Sequence, residues 1–185
     1  MQSQIKKLAL IVGLAATTSQ AFGADYDTSI LVGRKWDEKV HGSGGSKANA
    51  VDVSAHVAPM PEIPVSVGAV LSYDAYDKKD FPGVKSLNGY EGGAEVMGWV
   101  PLGDWKPYAK ARYTLWSQLT EKGEDGTKTH GTTPGAHFAL GTKWSPAPHV
   151  DLLAEAGYGV QMVKMGGATE PFNSKEFLIG AGYSF

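Results

Sequence analysis

From about residue 26 to the last residue, apolar and polar side chains alternate with a period of two. Successive strand side chains point to opposite faces, so this alternation predicts strands with one apolar and one polar face. Eight such segments are predicted, at about 26–36, 48–58, 63–75, 89–100, 105–118, 135–145, 150–163 and 175–185. In the third, Ile63, Val65, Val67, Ala69, Leu71 and Tyr73 share a face. In the fifth, Ala109, Ala111, Tyr113 and Leu115 oppose Lys110, Arg112 and Thr114. In the seventh, Val150, Leu152, Ala154, Ala156, Tyr158 and Val160 oppose Asp151, Glu155 and Gln161. The first is less clean: Ile30 and Val32 against Leu31 and Gly33 reads either way.

The connections also alternate. Ala58–Glu62, Pro101–Asp104 and Ser145–His149 are short and carry proline, whereas Asp37–Lys47, Tyr76–Asn88, Thr120–Thr133 and Lys164–Ser174 are longer and polar. Short turns at one end and long loops at the other describe an antiparallel up-and-down sheet whose termini share the short-turn end. Within the long loops, Gly42–Ser46 reads as a flexible tip and Thr120–His130 as a mobile mixed-charge stretch. Asp74, Asp77 and Asp80 with Lys78 and Lys79 read as a solvated charged loop.

The polar parity is unusual for a face in water. It combines many glycines (Gly68, Gly93, Gly141, Gly157, Gly159, Gly180, Gly182) with charges of both signs: Glu95, Lys110, Arg112, Lys143, Asp151 and Glu155. Small residues and paired charges suit a narrow interior, with the apolar face outside. Symmetric turns would set Glu95 opposite Lys110 and Lys143 opposite Asp151. Aromatics near strand ends on the apolar face, such as Trp36, Trp105, Trp144 and Tyr183, fit the belts at a membrane–water interface.

The ends sharpen this. Lys6 and Lys7, the uncharged apolar run from Leu8 to Ala16, and Thr17–Ala21 follow the layout of a secretory signal peptide. Residues 1–23 are expected to be that signal, with cleavage after Ala21 or Gly23, and 24–185 the sheet domain. Removal takes two lysines from the 17 basic residues, leaving 15 against 19 acidic. That balance argues against nucleic-acid binding. With no cysteine, an exported chain of this size needs a constraint other than disulfides, and sheet closure supplies one. The last nine residues alternate Phe177, Ile179, Ala181, Tyr183 and Phe185 with Gly180, Gly182 and Ser184, and end on an aromatic.

The signal, the eight alternating strands, the loop asymmetry and the closing Gly182-Tyr183-Ser184-Phe185 resemble the small outer-membrane β-barrels of the OmpA/OmpX type. The resemblance covers the whole mature chain and rests on pattern. It implies an all-β fold, an eight-stranded antiparallel transmembrane barrel in the bacterial outer membrane, with Phe177, Ile179, Tyr183 and Phe185 as the signal read by the barrel assembly machinery. It also implies contact with outer-membrane lipid and lipopolysaccharide, and loops open to an extracellular ligand. The last strand would close on the first near Ile30–Val32. No peptidoglycan-binding domain is expected after it.

No cofactor, metal site or catalytic residue is expected. The histidines (His41, His56, His130, His137, His149) lack H-x-x-x-H or H-E-x-x-H spacing. Ser54 and His56 are two apart but on the inward parity, away from any lipid substrate. A structural or surface-interaction role is the leading expectation. A narrow channel, a lipid A-modifying enzyme and a soluble periplasmic ligand carrier are the alternatives.

Overall fold

The computed structural model describes residues 25–40, 43–60, 62–81, 83–123, 126–165 and 168–185. The signal segment lies outside them. Eight strands follow in chain order: β1 (Asp25–Val40), β2 (Ser43–Ala58), β3 (Val65–Tyr76), β4 (Val84–Trp99), β5 (Trp105–Gly123), β6 (Gly126–Ala147), β7 (Val150–Met165) and β8 (Ala168–Ser184). Each pairs antiparallel with the next, and β8 pairs with β1 to close the barrel. The closing seam runs in unbroken register from Asp27↔Ser184 to Asp37↔Ser174, through Ile30↔Ala181 and Val32↔Ile179. Closure leaves no sheet edge, the condition for a sheet to sit in lipid.

The apolar parity is outside. Phe138 is 60% exposed and Leu140 69%, and Ile30, Val32, Leu115, Phe177 and Ile179 also face outward. The ambiguous first strand is thereby resolved: Ile30 and Val32 face lipid, and Leu31 is buried inside. Burying such side chains is worth roughly 1.5–3 kcal/mol each, and here lipid rather than a protein core supplies the apolar surroundings. Trp105 and Trp144 stack at 5.7 Å near the short-turn end, where Tyr183 and Phe185 meet at 4.9 Å. Trp36, Tyr73, Tyr90, Trp116 and Tyr158 lie toward the other end. About ten residues separate the two belts along a strand, enough to cross a bilayer when tilted.

The long loops differ from expectation. The ladder continues through most of them, so β5 and β6 pair to Gly123↔Gly126 and β1 and β2 to Val40↔Ser43. Thr120–His130 is therefore largely hairpin, and Ser43–Ser46 belongs to β2. Above the lipid both faces meet water, so side-chain alternation disappears while backbone pairing still satisfies N–H and C=O groups. The segment between β3 and β4 is the exception, carrying a turn of 3-10 helix at Lys78–Asp80. Phe81 and Leu87 are buried there against Tyr76, Val84 and Leu119. Asp77 N donates to Lys47 O at 2.8 Å, and Lys47 N to Asp80 Oδ2 at 2.9 Å. The Asp77 carboxylate pairs with Arg34 at 2.8 Å. These side chains form an apolar cap at the long-loop end of the barrel.

Candidate functional site

The inward positions of the strands build one polar network across the middle of the barrel. Odd residues of β1 and even residues of β2 and β3 point in, as do Glu95 and Met97 of β4 and the even residues from Lys106 to Thr114 of β5. An eight-stranded barrel leaves an interior just wide enough for side chains. Its glycines make room for rings: Gly68 lies against His56 and Gly157 against His137, where a methyl group would clash.

At the centre, Glu95 is 2% exposed and accepts from Arg112 Nε at 2.8 Å, with Lys110 Nζ at 3.5 Å. Arg112 also pairs with Asp52 and donates to Ser72 Oγ at 2.9 Å. Lys110 makes its closer pair with Glu155, at 2.8 Å, and Tyr108 donates its hydroxyl to the same carboxylate at 2.9 Å. The network runs on through His56, whose Nε2 is 3.1 Å from Glu95 and Nδ1 3.1 Å from Asp27. Asp27 then meets Lys143 at 3.1 Å, and Lys143 meets Asp151 at 3.1 Å. Asp151 is held further by Ser145 and Ser184 hydroxyls, at 2.6 and 2.7 Å. Nearer the extracellular end, Lys35 pairs with Asp74 at 2.7 Å and Glu91 at 3.6 Å, and His137 Nε2 lies 3.0 Å from Glu176.

Glu95, Lys110, Arg112, Lys143, Asp151 and Glu155 are thus all buried inside and joined in one network. The registers differ from those expected of symmetric turns. Glu95 stands opposite Arg112, and Lys143 opposite Leu153. In the first hairpin the tight turn falls on Gly103–Asp104, between Leu102 and Trp105, with Gly103 at a φ of 65°. That moves the centre of the turn by one residue and the partner of Glu95 by two, from Lys110 to Arg112. In the second, His149 adopts a φ of 65° and the ladder shifts between Trp144 and Ala147. Lysine side chains are long enough to reach their carboxylates diagonally, so Lys143 still meets Asp151.

Asp27, Lys35, Asp52, Asp74 and Glu176 were not among the expected interior charges; His56, already expected on the inward parity, joins the network, while Lys35 pairs with Asp74 and the inward His137 with Glu176 nearer the extracellular end. All share the inward parity, which is the signal that finds them. Asp74, Asp77 and Asp80, read as one solvated loop, are instead committed to Lys35, Arg34 and the Lys47 backbone. Ser54 bonds to Ser29 at 2.8 Å and not to His56. His149 lies in the turn before β7, stacked on Tyr183 with its Nδ1 2.7 Å from Ser184 O. His41 falls outside the described residues. Among the described residues no three His, Asp or Glu side chains are grouped to hold a metal ion.

Phe177, Ile179 and Tyr183 lie on the outer face of β8, and Phe185, just after it, packs its ring on Tyr183 and donates its N–H to Tyr26 O at 2.8 Å. The open end of the barrel is at this rim. A cavity of about 260 Å³ sits there, bounded by the Asp27–Lys143 pair and Tyr108.

A closed eight-stranded barrel with an apolar belt outside and a charged interior defines a class: the small β-barrels of bacterial outer membranes. The outer membrane protein beta-barrel domain family matches residues 8–185, and the chain belongs to that family. It lies in the bacterial outer membrane. Among solved structures it is similar to the neisserial surface protein NspA, at 18% identity and a TM-score of 0.68, covering 87% of this chain and 97% of that one. It is also similar to Ail, the attachment invasion locus protein of Yersinia pestis, at 12% identity and a TM-score of 0.57, covering 88% and 99%. The N-terminal barrel of Pseudomonas aeruginosa OprF gives 15% identity and a TM-score of 0.50, covering 86% and 97%. At these identities the likeness is one of fold. A search of curated proteins gave no match.

Proposed function

We propose that this protein is a structural, surface-presenting element of the outer membrane, with a sealed interior and hairpins open to the exterior. The observation that carries this is the continuous network from Asp151 through Lys143, Asp27, His56 and Glu95 to Arg112, backed by the cap of Phe81 and Leu87. The network occupies the path a solute would take. A buried charge is costly to strip of its partner, so parting Glu95 from Arg112 to open a pore is strongly unfavourable. Refolded protein in a planar bilayer is expected to give no sustained conductance; stable open levels would establish the narrow channel instead.

A non-enzymatic role is supported by the placement of Ser54 and His56 behind the wall, each bonded to other partners. The extracellular hairpins are the surface for lipopolysaccharide or an external macromolecule. Ail carries attachment and invasion in its name, and a surface-recognition role of that general kind fits hairpins that extend beyond the membrane. The outward row Phe177, Ile179 and Tyr183, with Phe185 after it, is the part offered to the assembly machinery. Removing Phe185 should slow membrane assembly while barrels already folded keep their unfolding temperature; normal assembly kinetics would refute that assignment. Residues 1–23 serve as the cleaved signal, which N-terminal sequencing of the membrane-bound protein tests.

A further inference from the structure

The cavity at the periplasmic rim plays no part in sealing the barrel. Its volume, about 260 Å³, would hold some eight or nine waters at roughly 30 Å³ each. The Asp27–Lys143 pair and Tyr108 bound it on the inward side. The inward side chains of Met97, Trp99 and Tyr108 line it, beside Ala58.

Two polar groups there lack partners. Lys106 lines the cavity and stands directly opposite Lys143 in the β5–β6 ladder. Like charges directly opposite repel. Lys143 is neutralised between Asp27 and Asp151, whereas no carboxylate among the described residues is in ion-pair range of Lys106. Ser66 is 2% exposed at the cavity wall, and its hydroxyl has no hydrogen-bond partner. A buried hydroxyl left unbonded costs about 1–3 kcal/mol. Asp25 is exposed on the same lining, which disfavours a multiply charged anion.

We propose that this vestibule is a binding site, open to the periplasm, for a small monoanionic amphiphile: a carboxylate on an aryl or short acyl body. The carboxylate pairs with Lys106. The apolar body lies against Met97, Trp99 and Tyr108, a mostly apolar concave wall with few polar groups, as small-molecule sites generally are. Ser66 offers a hydroxyl to the bound molecule.

The test is a ¹⁹F NMR titration of 4-fluorophenylacetate against the folded barrel in detergent micelles, with empty micelles as the baseline. A saturable shift beyond that baseline is expected. Lys106→Gln, half-exposed and outside the central network, should weaken binding about tenfold, the value of one hydrogen bond to a charged group. Ser66→Phe should fill the cavity and abolish the shift, and gel mobility before and after heating confirms that both variants fold. Absence of a saturable shift would overturn the proposal. So would Lys106→Gln or Ser66→Phe titrating like the parent. Equal binding of the neutral 4-fluorophenylacetamide would overturn the assignment of an anionic ligand.

Discussion

The two ends of this barrel are finished differently. At the periplasmic end the turns are tight, the rim is aromatic, and a cavity stays open behind it. At the extracellular end the ladder runs past the lipid, and Tyr76, Phe81, Leu87 and Leu119 pack into an apolar cap. Between them lies a charged middle common to both. The difference teaches where stability resides. The middle and the cap are packed, so changes there leave voids or unpaired charges, whereas the rim borders lipid and water and can relax.

Mutations can break this comparison, beginning with the seam on which both ends depend. A methyl group built on Gly180 would fall on the carbonyl of Ile30, and one on Gly33 on the carbonyl of Phe177. Gly180→Ala must therefore push β8 away from β1 and is expected to cost more than about 4 kcal/mol, among the larger effects of single substitutions. Loss of the heat-modifiable folded band on a gel is the readout; a normal band would show that the seam tolerates a side chain.

The next largest effect belongs to the middle. Arg112→Leu leaves Glu95 and Asp52 without their guanidinium, and about 3–5 kcal/mol of stability should go. Urea unfolding in micelles measures it. Lys110→Ala should also lower the unfolding temperature, but by less, because it strands one carboxylate, Glu155, while Glu95 keeps Arg112. If the two variants lose equal stability, the ranking of partners drawn from the 2.8 and 3.5 Å distances is wrong.

The cap and the rim provide the direct contrast. Phe81→Ala empties a buried site and should cost about 3 kcal/mol, while Trp105→Ala, half-exposed beside Trp144, should cost about 1 kcal/mol, the worth of an aromatic pair. The reverse order would place the better-packed end at the periplasm. Last comes the exposed pair Glu38–Lys175 at 2.6 Å. Glu38→Gln should leave the unfolding midpoint unchanged within error, since ion pairs in water contribute little.

The fold was legible because lipid makes the period-two signal explicit. Every strand from Val51–Val57 to Phe177–Phe185 shows its outward row in the sequence, and the glycine-and-charge row marks the inside. The signal fades wherever lipid stops. Above the membrane, Thr120–Gly123 and Gly126–His130 are polar on both faces, so their pairing left no trace in the pattern. Register was hidden for a different reason. It depends on where a turn closes, and the positive φ of Gly103 and His149 shifts the ladder in a way that residue counting misses. The bulge between Gly92 and Gly93, opposite Leu115, is likewise a backbone event without a distinctive side-chain pattern. For the interior, parity identified the charges, but their partners needed three dimensions: Lys143 meets Asp27 across 116 positions of sequence.

The union of β1 with β8 has a kinetic meaning. The first strand made waits for the last, so the contact that completes the ring is also the one of greatest sequence separation, and such contacts slow folding. Until it forms, two strands carry unpaired N–H and C=O groups, which hydrocarbon does not tolerate. A half-finished sheet therefore has no stable residence in the bilayer. Insertion and completion are coupled into one cooperative act, and a chain interrupted before Ala168 should remain in water, exposed to periplasmic proteases, instead of persisting as a damaged membrane protein.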